Sequence, residues 1–189
     1  DALAAAGARI VKVEVPNLEE LHELFRRGGI AGIEFAAFIS RPEMAKWKAA
    51  VDPIVQSRFA AIESVPASEY IRRVIRIGEM AAEAAPVFDQ VDAIVGPTIP
   101  ITPPKIADLQ SVEAYGSHNL QSLRNTSVGN ILALSGVTVP VGLDAAGMPV
   151  GLQVLTPNGA DERALAMAVA FERVLGTPRD RLGLPAMMR

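Results

Sequence analysis

The stretch from residue 126 to 153 limits what this chain can become more than any other. Residues 137–141 (Val-Thr-Val-Pro-Val) make a strand of the apolar kind that is buried on both faces, and residues 150–155 read as a second strand. Between them, Asp144-Ala145-Ala146-Gly147 supplies a turn with glycine where positive φ is needed. A helix expected over residues 120–134 feeds the first strand. Two apolar strands joined by so short a turn must pair side by side, so the chain has to build a sheet whose core reaches into the preceding helix.

The flanking elements follow from periodicity. Residues 9–15 alternate, with Ile10, Val11, Val13 and Val15 supplying β-branched bulk and Pro16 ending the run, which predicts a strand. Asn17 caps a predicted helix reaching Arg27, striped by Leu18, Leu21, Leu24 and Phe25 and closed by Gly28-Gly29. Residues 30–40, almost wholly apolar apart from Glu34, predict a buried helix, and 42–49 and 52–63 predict two short helices opened by prolines. The longest helix is expected over 68–85, with Ile71, Val74, Ile75 and Ala82 inward and Arg72, Arg76, Glu79 and Glu83 as an ion-paired outer row. Residues 92–96 predict a short strand. Residues 97–119 read as a long loop leaving its C-terminal end, where α/β proteins tend to hold ligands. Residues 161–175 predict an amphipathic helix stopped by Gly176, and the tail, with its two prolines, is expected over the surface. The sum is an α/β fold: a mixed β-sheet with strands near 9–15, 92–96, 137–141 and 150–155, covered by α-helices. Residues 1–7 read as the last turns of a helix closed by glycine, so the chain is expected to begin inside an element of something larger.

Composition removes several classes of function. A net charge of −3 gives no basic footprint for nucleic acid, and no apolar run approaches the ~20 residues that span a membrane. The absence of cysteine excludes disulfides and thiolate chemistry and is compatible with a reduced cytoplasmic setting. His22 and His118 stand apart without ligand-spaced partners, and no carboxylate cluster has calcium-loop spacing, so no metal is expected. Neither glycine-rich phosphate cradle occurs, and no cofactor is expected. Ser135-Gly136 lacks the strained elbow of a nucleophilic serine, and the adjacency of Ser117 and His118 implies no hydrogen bond between them. Glu34 has no partner visible in the sequence. Lys12, Lys46, Lys48 and Lys105 read as surface residues, and Trp47 between two lysines reads as a surface anchor. The residues alone present no catalytic centre.

Several motifs nevertheless resemble one family. Asp92-Ala93-Ile94-Val95-Gly96-Pro97-Thr98 is similar to the strand and Pro-Thr loop near the C-terminal end of amidase signature hydrolases. Thr126 and Asn130 look like that family's Thr…Asn helix, and the spacing from Asn130 to Pro140-Val141-Gly142 matches. Gly147-Met148-Pro149-Val150-Gly151-Leu152-Gln153 resembles the Gly-Leu-Pro-Val-Gly-Leu-Gln signature and is the most specific match. The chain departs from the family at Ala133 and Ser135, where Gly and Pro are common.

The resemblance implies that residues 1–189 are the C-terminal portion of an amidase domain that cleaves a carboxamide through an acyl-serine. The family's nucleophilic serine, bridging serine and lysine base lie in a Gly-Ser-rich segment without a counterpart in this sequence. The resemblance therefore implies no catalytic residue here, a small-molecule amide substrate, and an N-terminal catalytic portion as the missing partner. A homo-oligomer stays open, as does a non-catalytic binding or assembly module on the same fold. The implied substrate-binding residues are Thr98, Leu120, Leu123, Thr126 and Ser127. Leu123 stands where the glutamine-using branch resembles an acidic residue, which implies an apolar or neutral amide instead. Leu120 and Leu123 read equally as core, and Thr126 and Asn130 as groups that hydrogen-bond the helix-to-strand junction.

Overall fold

The hairpin forms where its turn residues place it. In the computed structural model, which describes residues 1–60, 62 and 64–183, β2 (Ser135–Leu143) and β3 (Pro149–Thr156) pair antiparallel from Ser135↔Thr156 to Leu143↔Pro149. Gly147 sits at φ 79° and donates its N–H to Asp144 O at 3.0 Å. The Asp144 carboxylate braces the turn, accepting from Ala146 N at 2.8 Å and Met148 N at 2.9 Å. A bulge between Pro140 and Gly142 leaves Val141 extra, at a position where Pro140 has no N–H to give the ladder. The carbonyl of Val141 is taken up by Arg181 Nη1 at 2.7 Å.

A third strand, β1 (Ile94–Pro97), pairs antiparallel with the other side of β3, giving the order β1-β3-β2. The α/β class holds, with helices packed on a small sheet. That sheet is antiparallel throughout among the described residues, not mixed, and residues 9–15 are not part of it. Their alternation gives strand propensity, but a strand needs a hydrogen-bonding neighbour. None of β1 to β3 runs beside them, and Ile10 and Val11 stay exposed.

The helices are α1 (Ala2–Ala5), α2 (Leu18–Arg26), α3 (Ala31–Ile39), α4 (Ala45–Ala50), α5 (Pro53–Ala60), α6 (Ala67–Ala84), α7 (Val112–Leu123), α8 (Thr126–Ile131), α9 (Asp161–Leu175) and α10 (Pro178–Leu182). Residues 61 and 63, near the end of the helix expected over 52–63, and the last residues of the tail, 184–189, lie outside the described residues. Helix α9 matches its expected bounds and stops at Gly176, φ 88°. It packs on β2 and β3 with Ala164 buried and Met167, Ala168 and Phe171 half-buried. Adjacent strand residues point to opposite faces, so the burial of both Val154 and Leu155 means both faces of β3 are covered there. Leu155 lies against α8, whose Gly129 leaves room for it: a Cβ there would sit 3.0 Å from Leu155 Cδ2.

The second core joins Leu21, Met80, Ala84, Ile131 and Leu132, with Val15, Phe25, Ile77 and Leu134 packed around it. Helix α6 enters this core with the face carrying Ile77, Met80 and Ala84, spaced three and four apart. The stripe expected to point inward does the opposite. Ile71, Val74 and Ile75 are 55%, 41% and 57% exposed, and Ala82 is exposed as well. Helix α6 has two apolar faces, and among the described residues only one is covered. Its charged row is ion-paired as expected: Arg76 meets Glu20 of α2 at 2.8 Å and Glu79 and Glu83 at 3.1 Å.

Other expectations shift. Asn17 adopts φ 56°, outside the extended conformation that an N-cap needs, and its amide donates to Glu83 instead of capping α2. Helix α3 is only partly buried, at Ala36 and Ile39, while Phe35 and Phe38 stay exposed. The expected loop over 97–119 contains a 3-10 turn (Ile106–Leu109) and most of α7, which starts where Ser111 Oγ accepts from Ala114 N at 3.1 Å. Gly116, Ser117, His118 and Asn119 are poor helix formers, which hid that helix.

The single helix expected over 120–134 breaks between α7 and α8. There Asn125 Nδ2 donates to Pro97 O at 2.7 Å, tying the break to the end of β1. Helix α8 closes in a Schellman motif, with Leu134 N to Gly129 O at 2.9 Å and Ala133 N to Asn130 O at 3.4 Å. Ala133 occupies its left-handed position at φ 53°.

Candidate functional site

Two hollows flank α8 and the β2–β3 hairpin. The larger, about 750 Å³, lies between the turn from Gly28 to Gly32, Ile62, Ile77 of α6, and the facing sides of α7 and α8. Leu120 and Leu123 line it from α7, and Ser127, Asn130 and Ile131 from α8. The smaller, about 400 Å³, lies between the segment 98–103 and the hairpin. The structure thus brings Leu120, Leu123 and Ser127 to one chamber. Thr98 belongs to the other hollow, and Thr126 lines neither.

Each expected polar residue has a local partner. Ser127 is buried and donates its hydroxyl to Arg124 O at 2.7 Å. Thr126 donates to Leu123 O at 3.2 Å. Both are back-bonds to the preceding turn, which hold the α7–α8 break. Thr98 extends the sheet: its N–H donates to Gly151 O at 2.8 Å and its hydroxyl lies 3.1 Å from that of Thr138. This explains Gly151 within the signature-like run. A Cβ there would sit 2.6 Å from Thr138 Cγ2 and 2.8 Å from Thr98 Oγ1.

The far wall of the chamber is held by charge. Arg73 donates to Arg27 O at 3.1 Å and Gly29 O at 2.9 Å, satisfying carbonyls at the C-terminal end of α2 where a cation is favoured. Glu69 pairs with the same guanidinium at 3.0 Å, and the Arg73 and Arg72 hydrogen bonds hold its carboxyl below the usual range. Glu34 also lines the chamber. It accepts from Tyr70 Oη at 2.8 Å, which raises the phenol. Near the α8 side, His22 is buried, and desolvation, with the charge of Arg124, lowers its pKa, so the imidazole is neutral at pH 7.

The residue pairs considered for nucleophilic chemistry do not meet. His118 Nδ1 lies 2.9 Å from Ala114 O, Ser117 Oγ accepts from Gln121 at 3.2 Å, and Ser135 is buried at the start of β2. Among the described residues, no group of three His, Asp or Glu could hold a metal, and no helix is long and apolar enough to cross a membrane. Sequence reasoning missed the turn from Gly28 to Gly32 and Ile62 as chamber wall. The signal was present in the three glycines at 28, 29 and 32, a density that permits close approach of a neighbouring side chain.

A family model for amidases matches residues 1–165. The chain belongs to the amidase family. This amidase-family chain is 40% identical over 183 residues to 2-amino-5-chloromuconic acid deaminase of Comamonas testosteroni, covering 97% of the chain and 39% of that protein. It is 28% identical over 181 residues to a fatty acid amide hydrolase of Medicago truncatula, covering 94% of the chain and 29% of that protein. Among solved structures, 6-aminohexanoate cyclic dimer hydrolase superposes with a TM-score of 0.82 at 20% identity, over 100% of this chain and 41% of that one. The chain therefore spans no more than about two fifths of the length of these relatives.

Proposed function

We propose that this chain is the C-terminal portion of an amidase domain. In the whole protein, a serine outside this chain attacks a carboxamide carbonyl, the amine or ammonia leaves, and water releases the acyl group. The chain supplies sheet core and one wall of the substrate pocket. The observation that carries this reading is the chamber, where Leu120, Leu123 and Ser127 converge on the turn from Gly28 to Gly32. Thr98 and Thr126 act on that wall indirectly, by holding the end of β1 and the α7–α8 break.

Leu123 gives the wall no charge, which favours an apolar or neutral amide over glutamine. One relative carries a name that speaks of an amide beside an apolar chain, the fatty acid amide hydrolase. The test compares this chain and the full-length protein on simple aryl and aliphatic amides. The full-length protein should turn over at least one class and this chain none. Turnover by the chain alone that Ser117→Ala or Ser135→Ala abolishes would sink the assignment of the nucleophile elsewhere.

One observation favours a second reading, a non-catalytic binding or assembly module. The uncovered stripe of Ile71, Val74 and Ile75 is apolar enough to seat another protein surface. A reading frame without an upstream Gly-Ser-rich segment, together with an inactive full-length product, would select it.

A further inference from the structure

The wall opposite Leu123 carries a plug. Ile62 lines the chamber and rests on two glycines: a Cβ at Gly32 would lie 2.6 Å from Ile62 Cδ1, and one at Gly28 would lie 3.3 Å from the same atom. The contact at Gly32 is below what carbon atoms tolerate, so only glycine lets Ile62 settle this deep. The atom in the way is the end of an aliphatic side chain rather than backbone, so a methyl at Gly32 would rotate it aside. Phe25, Ile30, Ile77, Leu120 and Leu123 make the apolar part of the lining, which Arg26, Arg27, Glu34, Asn119 and Asn130 share. Ser127, though polar, already spends its hydroxyl on Arg124 O.

We propose that Ile62 is the depth stop of this chamber, and that the amides it admits carry an unbranched apolar arm whose permitted length Ile62 sets. Gly32 is a positioning residue that acts through Ile62. The inference rests on the chamber being the substrate pocket of an amidase.

The experiment measures kcat/KM of the full-length protein on a series of straight-chain amides of increasing length. Ile62→Ala should move the preferred length up by two or three methylenes, each one newly admitted raising kcat/KM about fourfold. Gly32→Ala should move it down. Ile62→Phe should do the same and covers the case in which Gly32→Ala fails to fold. The double variant Gly32→Ala/Ile62→Ala should behave like Ile62→Ala, because the new methyl no longer meets a side chain. A merely structural role would lower activity on every length alike. Active variants that keep the wild-type preference overturn the depth stop and leave the amidase reading standing. A wild-type protein that turns over no amide overturns both.

Discussion

The sheet layer and the helical layer of this chain use apolar residues in opposite ways. In the hairpin, nearly every apolar position that the pattern commits to the core is covered: Val139, Val154 and Leu155 are buried, with α8 and α9 packed on the strands. In the helical layer, α6 buries one end and leaves a stripe bare. Met80 is fully buried while Ile71, nine residues earlier, is more exposed than not. The centre of the sheet finds its cover within this chain, whereas α6 presents a half-interface. A chain can therefore be well specified in one layer and wait for contacts in the other.

The largest effect should separate the two ends of α6. Met80→Ala should cost about 2–5 kcal/mol, because a buried side chain leaves a cavity, whereas Ile71→Ala should change the stability of this chain by less than about 0.5 kcal/mol. Urea unfolding of both variants measures this, and equal losses would mean that the stripe is covered. A smaller contrast concerns two glycines. Gly151→Ala drives a methyl into β-branched Thr138 and into Thr98 and should cost about 1–3 kcal/mol. Gly32→Ala meets only the tip of Ile62 and gains helix propensity, so its net effect on the melting curve should stay within about 1 kcal/mol.

Ala133→Gly should be stabilising by about 1 kcal/mol, since it relieves a side chain held at φ 53°. A gain in the urea midpoint at unchanged slope is the expected readout.

The smallest effects are protonic and occupy separate pH windows. His22 has a lowered pKa when folded, so its contribution is present above the ordinary imidazole range of about 6.5 and is lost as pH falls through the folded value. Asp144 is also lowered, by Thr102 Oγ1 at 2.6 Å and then by the Met148 amide, so its contribution disappears only below the ordinary carboxylate range of about 3.9. Titrating stability from pH 8 to 3 should show a first decline that His22→Gln removes and a second, shared with other lowered carboxylates such as Glu69, that Asp144→Asn makes shallower.

Legibility in the sequence followed the same division. The hairpin, its turn and α9 were readable because their patterns are satisfied locally, by a glycine at positive φ, a period of two, or a stripe against the sheet. Residues 9–15 and the stripe of α6 were misread for one shared reason. Alternation and helical spacing report which residues seek cover, not whether cover lies within this stretch of chain. The part of α7 before residue 120 reads as loop in the sequence because it leans on the Ser111 cap rather than on propensity. Of the candidate site, Leu120, Leu123 and Ser127 were placed through family resemblance, and the structure brings these three together. Ile62 and the turn from Gly28 to Gly32 are distant from them in sequence, and no spacing rule links a plug to its seat.

The left-handed alanine that ends α8 has a kinetic consequence. A joint that stores strain opens locally at lower cost than its surroundings. The amides of Ala133 and Leu134, bonded to Asn130 and Gly129, should exchange with solvent hydrogen faster than that of Val154 in the sheet core. Glycine at 133 should slow them about fivefold. Asn130 and Ile131 sit on the chamber wall just before this joint, so the same exchange measurement should find this part of the wall less protected than the sheet core.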